Sequence, residues 1–227
     1  MPPRARAFGP LSTTRTTVNG VSFDMVRVPP GRFVDGEGTA KRELLVSRPF
    51  EIGMTLVTLA LWRAVMGKSL SRLFDPDDPV ERASWDDAQS FLARLEVLGL
   101  HGFRLPTEVE WAWAARCGAT ARWAGADRYK PVATVLQRGP DLVGGLLPSA
   151  AGAFDFSGNL WEWQQDAWSE SPAAGLDAED SASGPYRVLR GGSWKRDASR
   201  ALVISRIFDY PAQRVGRYGF RLLRTLP

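Results

Sequence analysis

The spacing of apolar positions divides the chain into short alternating stretches and a few helical ones. Residues 20–28 place Val21, Phe23, Met25 and other apolar side chains at every second position, which predicts a β-strand. Pro29-Pro30-Gly31 turns that strand into Arg32-Phe33-Val34, and residues 44–52 predict a further extended segment. The period then lengthens. Leu56, Leu59, Leu61, Trp62 and Val65 gather on one side of a helix expected over 55–66, with Thr55 as its cap and Gly67 as its stop. The clearest helix spans 85–98: Ser84 opens it, Gly99 ends it, and Trp85, Ala88, Phe91, Leu92, Leu95 and Leu98 share a face. Thr107 and Glu110 have the spacing of a reciprocal helix cap and predict a third helix start.

Beyond it, 118–151 is rich in Gly, Ala and Pro and predicts no firm element, while 70–80 and 169–184 read as loops. Residues 186–189 alternate as a strand, Gly191-Gly192 allows a tight bend, and 219–222 reads as a closing strand. Between these ends lies a run with neither period. Ile207-Phe208-Asp209-Tyr210 mixes two aromatics, an aliphatic and an acid before Pro211, and is expected to be a loop. Its aromatics either cover a core from outside or meet a partner. Short strands, few helices and long connections together predict an α+β fold.

Composition narrows this picture. At 227 residues, one domain over 18–227 behind a loosely held arm at 1–17 is the expectation. A single cysteine, Cys117, excludes an intrachain disulfide framework, and its place after Trp113, Ala114 and Ala115 predicts a buried, inert thiol. No apolar run has the length of a membrane span. Residues 1–10 lack the apolar core of a signal peptide, so a cytoplasmic or phage-particle location is expected. The net charge of +4 raises nucleic acid as a partner, but acids are interleaved with the arginines and no basic stripe forms, so none is expected.

Four ordered motifs resemble one family. Residues 103–111 (Phe-Arg-Leu-Pro-Thr-Glu-Val-Glu-Trp), 153–163 (Ala-Phe-Asp-Phe-Ser-Gly-Asn-Leu-Trp-Glu-Trp), 187–194 (Arg-Val-Leu-Arg-Gly-Gly-Ser-Trp) and 219–221 (Gly-Phe-Arg) are similar to those of formylglycine-generating-enzyme-type domains. The resemblance implies a C-type-lectin-like fold with small mixed sheets, two main helices and extensive loops. The copper-dependent enzymes of that family use two cysteines where this chain has Arg196 and Ala201, which removes the soft ligands Cu(I) needs. The related iron enzymes use several histidines, whereas His101 stands alone here. An enzyme of this fold with unrecognised chemistry remains the alternative reading.

A better match is the variable proteins of diversity-generating retroelements, whose C-terminal region is rewritten by adenine-directed mutagenesis. Their scaffold pattern is met by Trp194, Arg206, Pro211, Arg214 and Gly219-Phe220-Arg221, within a variable region of about 187–223. The resemblance implies that Lys195, Arg196, Asp197, Ser199, Arg200, Ile204, Ile207, Phe208, Asp209, Tyr210, Val215, Gly216, Arg217 and Tyr218 contact a ligand, a macromolecule on a cell surface or a protein. The eight residues at 207–210 and 215–218 can all be reached from an Asn codon by changing its adenines alone, which is consistent with this resemblance; Lys195 cannot. Arg190, Arg206, Arg214 and Arg221 are read as scaffold ties, and Trp111, Trp113, Trp161 and Trp163 as core. In formylglycine-type domains the stretch matching 155–162 wraps calcium. The resemblance therefore implies Asp155, Gly158, Leu160 and Glu162 as a structural calcium set, with a metal-free turn as the other reading and no cofactor required.

Overall fold

The computed structural model describes residues 11–180 and 184–226. Residues 1–10 of the expected arm and 181–183 of the expected loop lie outside the described residues. The N-terminal strands are β1 (Thr13–Val18), β2 (Val21–Val28), β3 (Gly31–Asp35), β4 (Arg42–Val46) and β5 (Phe50–Gly53). Two helices follow, α1 (Leu59–Met66) and α2 (Trp85–Val97), then β6 (Phe103–Arg104) and α3 (Glu108–Arg116). The C-terminal half holds β7 (Ala133–Thr134), β8 (Ser157–Gly158), β9 (Trp161–Ala167), β10 (Gly175–Leu176), β11 (Arg187–Arg190), β12 (Arg206–Asp209), β13 (Tyr218–Gly219) and β14 (Leu223–Thr225).

The strands pair as a five-stranded sheet β1-β2-β5-β14-β6, a three-stranded sheet β10-β4-β3, a four-stranded sheet β12-β11-β9-β13 and the short pair β7-β8. Several boundaries differ from the sequence reading, each for a physical reason. Thr13–Val18, of which 13–17 fall in the expected loose arm, pairs with β2 along its full length as an antiparallel hairpin. The extended segment at 44–52 is two strands in two sheets, parted where Ser47 turns to hydrogen-bond Asp177. Helix α1 is capped by Thr58, whose hydroxyl accepts the Leu61 amide at 3.2 Å, rather than by Thr55. The Thr55 region is held extended instead, the Val57 amide donating to the Phe220 carbonyl at 3.0 Å. Ser84–Asp87 and Thr107–Glu110 both form reciprocal caps.

Two apolar clusters lie on either side of the C-terminal strands. One packs α3, through Val109, Trp111 and Trp113, onto Phe33, Leu44 and Phe50. The other packs α1 and α2 around Phe220, whose ring lies 6.3 Å from Trp62 and 5.5 Å from Phe91. The closing strand expected at 219–222 is really an irregular crossing between β13 and β14, with Phe220, Arg221 and Leu222 all buried.

Arg221 holds that crossing in place. Its guanidinium donates to both oxygens of Glu162, at 2.6 and 2.7 Å, and to the carbonyls of Gly53 and Phe154, at 3.1 and 2.8 Å. The Trp111 indole donates to Glu162 at 2.9 Å. One ion pair thus joins β9, β5, α3 and the C-terminal crossing, and both side chains have 0% exposure. Breaking a buried pair from one side strands the other charge. Arg221→Met is expected to destabilise by about 3–5 kcal/mol in a denaturant titration. A loss comparable to an exposed substitution would show that the pair does not hold the crossing.

Candidate functional site

Among the described residues, strand β12 is an edge of its sheet and pairs only with β11, Leu189 opposite Ile207 and Val188 opposite Phe208. Residues 207–210 were expected to form a loop. They are strand as far as Asp209, and the alternation of a strand decides which side chains face out. Ile207 packs on the α1–α2 cluster, while Phe208 is 44% and Tyr210 51% exposed. Asp209 points inward far enough to accept the Tyr218 hydroxyl at 2.9 Å.

The exposed aromatics do not stand alone. Phe208 lies 4.6 Å from Trp168 and 4.8 Å from Tyr186, and Tyr186 lies 4.7 Å from Tyr210. Arg206 covers Trp168 at 4.1 Å. The tyrosine hydroxyls are 3.2 Å apart, a contact that raises the Tyr186 pKa above its ordinary value. A strip of four rings results, two from the expected variable stretch and two, Trp168 and Tyr186, that the sequence reading missed. Tyr186 carried a signal, since it starts the alternation that runs into β11; Trp168 had none beyond being an aromatic beside a loop.

The other expected contact residues divide by burial. Lys195, Arg196, Asp197, Ser199 and Arg200 are exposed on a turn and a short 3-10 helix capped by Asp197. That turn is tied to the preceding loop: the Leu136 amide donates to the Arg196 carbonyl at 3.1 Å, and Gln137 to Trp194 at 2.8 Å. Leu136, also missed, is 70% exposed and has φ of 55°, a left-handed conformation that branched side chains seldom adopt. Ile204, Val215, Gly216 and Arg217 are half-buried. Tyr218 is not a surface residue. It is 2% exposed, its ring packs edge-on against Trp163 at 5.3 Å, and burial together with Asp209 pushes its pKa up to about 12.

The framework arginines each meet a carboxylate. Arg190 reaches Glu108 at 2.7 Å and Asp35 at 3.3 Å, and Arg206 reaches Glu108 at 2.8 Å. Arg214 forks onto Asp87 at 2.7 and 2.6 Å, tying the 211–214 turn to the cap of α2. Cys117 is buried at the end of α3, and desolvation pushes its thiol up to about 11.

The calcium set fits this geometry poorly. Both Glu162 oxygens are taken by Arg221 and one also by Trp111, so its charge is already neutralised and its lone pairs directed inward. Asp155 is 6% exposed and accepts the Gly144 amide at 2.8 Å, and desolvation pushes its carboxyl up to about 6. Asp155 and Glu162 act as anchors for backbone and guanidinium, and we assign neither to a cation.

Two expectations follow. Phe208→Ala is expected to cost about 0.5–1.5 kcal/mol, the scale of an aromatic contact, and Tyr218→Ala about 3–5 kcal/mol. A denaturation series that ranks them in the reverse order would remove the division into exposed and core positions. For Asp155, a folded pKa of about 6 against 3.8 means that the folded state holds this proton more tightly. Its contribution to stability is therefore full at low pH and is lost as pH rises through 6. Asp155→Asn keeps an oxygen for the Gly144 amide and is expected to gain on the wild type between about pH 4 and 7. A stability difference flat with pH would contradict this.

Comparison with known proteins places this geometry among relatives. Residues 12–226 match the sulfatase-modifying factor enzyme 1-like domain. The chain is 31% identical over 189 residues to the formylglycine-generating enzyme of Thermomonospora curvata, covering 71% of this chain and 60% of that enzyme. It is 32% identical over 186 residues to the inactive C-alpha-formylglycine-generating enzyme 2 of Mus musculus, covering 73% of this chain and 55% of that protein. The chain thus spans little more than half the length of these relatives. Among solved structures, Treponema denticola variable protein 1 superposes with a TM-score of 0.86 at 27% identity, covering 93% of this chain and 98% of that one. The Major Tropism Determinant I1 variant shares the fold at a TM-score of 0.51 and 17% identity, over 89% of this chain and 62% of that one. The α+β, C-type-lectin-like architecture implied by the four motifs is therefore the one present, and the chain belongs to the sulfatase-modifying factor enzyme 1-like family.

Proposed function

We propose that this protein binds a macromolecular ligand, a protein or cell-surface structure, through its C-terminal stretch, and that a diversity-generating retroelement rewrites that stretch. The observation that carries the reading is the exposed half of β12. Phe208 and Tyr210 project large, stiff aromatic rings from an edge strand whose backbone is paired on one side and tied at both ends, by Arg206 to Glu108 and by Arg214 to Asp87. Aromatic rings on a fixed backbone give contact area at little entropic cost, as in other adaptable recognition surfaces. Similarity to a protein named as variable, at 27% identity over almost its whole length, supports this assignment.

Binding without catalysis is part of the proposal. The single cysteine is buried with a raised pKa, and the single histidine, His101, is exposed and bonded to Glu96 at 2.6 Å. Arg196 and Ala201 occupy the positions where the resemblance implies catalytic thiols, the first exposed and the second buried. No cofactor is needed for this function.

Sequencing the gene in many descendants of one clone tests the reading. Substitutions are expected to concentrate at Lys195, Arg196, Asp197, Ser199, Arg200, Ile204, 207–210 and 215–218, and to spare Trp194, Arg206, Pro211 and Arg214. Changes spread evenly along the chain, or none in a genome that carries a matching reverse transcriptase and template repeat, would overturn it.

A further inference from the structure

Four guanidinium groups converge on two buried carboxylates behind β12. Asp35 is met by Arg42 at 3.1 Å, Arg116 at 3.2 Å and Arg190 at 3.3 Å. Glu108 is met by Arg190 at 2.7 Å, Arg206 at 2.8 Å and Arg42 at 3.7 Å. Asp35 and Glu108 are 2% and 1% exposed, so their charges are fully engaged within the cluster. Two positive charges are left without a buried counter-charge. Desolvation lowers the Arg206 pKa, and Arg190 and Arg42 lower it further against Glu108, whereas Asp35 and Glu108 hold Arg190 above its ordinary value.

This surplus faces open space. A cavity of about 590 Å³ is lined by Arg42, Arg190, Arg206, Lys41, Ile204 and Asp35, whose carboxylate is held by the cluster, and by residues 170–172. A second cavity of about 420 Å³ shares Lys41 and Ile204 with the first and adds Arg32, Arg116 and Arg122. The acids on the rim, Glu37 and Glu170, are exposed, where water screens their charges far more than it screens the cluster. Of the cluster members that line the first cavity, Arg42 and Arg206 are the accessible ones, with 12% and 17% of their side chains exposed, while Arg116, at 10%, lines the second. The structural explanation is that the arginines only tie the C-terminal stretch to β3, β4 and α3. Two carboxylates shared between two guanidinium groups would suffice for that, and four are present.

We propose that this cavity is an oxyanion site, in which a carboxylate or phosphate group is held by Arg42 and Arg206 with Lys41 at the rim. Guanidinium groups hold such anions by charge-assisted hydrogen bonds; Glu108 takes the paired edge of Arg206, and the Ala173 and Ser169 carbonyls accept from Arg42 and Arg206, so the anion would meet the N–H groups that remain. The fully buried Arg190 adds charge from below. The three basic residues that would hold the anion are framework side chains, although Ile204 of the variable stretch also lines the cavity. The site adjoins the aromatic strip, because Arg206 both lines the cavity and covers Trp168.

Calorimetry and thermal melts of the full chain in low-salt, phosphate-free buffer test the proposal, with inorganic phosphate in one arm and succinate in the other, each against chloride of equal ionic strength. Saturable binding of either anion, with a rise in melting temperature, is the expected result; the arm that responds identifies the phosphate or the carboxylate as the source. Arg42→Gln is expected to weaken that binding by about tenfold or more. Without anion it should melt no lower than the wild type, because it removes a surplus charge. Arg15→Gln, the same charge change at an exposed pair on β1, should leave binding intact. No saturable binding in either arm would overturn the proposal. Equal affinity in Arg42→Gln, or loss of binding in Arg15→Gln as well, would do the same.

Discussion

The bond between Glu162 and Arg221 is the constraint on which the rest of this structure depends. The chain has many short strands and only brief helices, so no single element is long enough to organise the others. A bidentate pair with no exposure on either side fixes four segments at one point. Its low-dielectric surroundings make the pair strong when whole and costly when halved. The apolar clusters on either side are then set in register with each other, since Phe220 adjoins Arg221 and packs between Trp62 and Phe91.

A second ionic centre, around Asp35 and Glu108, plays a comparable part for the sheet that carries β12. Arg190 and Arg206 lie opposite each other on β11 and β12 and reach the same glutamate at the start of α3. The edge strand is therefore anchored to the interior by charge on one face and by Ile207 on the other, while Phe208 and Tyr210 project outward. Rigid support beneath exposed rings is what a recognition surface needs, because little flexibility remains to be lost on binding.

Much of this was legible in the sequence. The Thr107–Glu110 reciprocal cap, the Ser84 start of α2 and its apolar stripe are local signals, and each appears where spacing puts it. The motifs at 103–111, 153–163, 187–194 and 219–221 identified the architecture because they hold the buried Trp111, Glu162, Arg190 and Arg221. What could not be read was set by distant partners. Thr58 rather than Thr55 caps α1 because Phe220 draws the preceding residues into extended pairing. The 207–210 stretch looked aperiodic because Asp209, an acid, occupies an inward position. Its justification is a hydroxyl nine residues later, on Tyr218. Glu162 fits a metal ligand equally well by sequence, because the group that engages it, Arg221, lies 59 residues away.

The alternation of β12 also has a consequence for evolvability. A process that changes codons does not know which side chains face solvent. Altered alike, 207–210 and 215–218 would be judged by two different criteria. A new residue at Phe208 or Tyr210 would be tested mainly for what it touches outside the molecule, since each is about half exposed and meets only the aromatic strip within it. One at Ile207, Asp209 or Tyr218 is tested first for whether the chain still folds, since Ile207 packs on the core, Tyr218 is buried and Asp209 holds its hydroxyl. Were the codons of this stretch rewritten, the usable repertoire would be smaller than their number suggests, and inward positions would drift toward a few well-packed residues while outward ones stayed diverse.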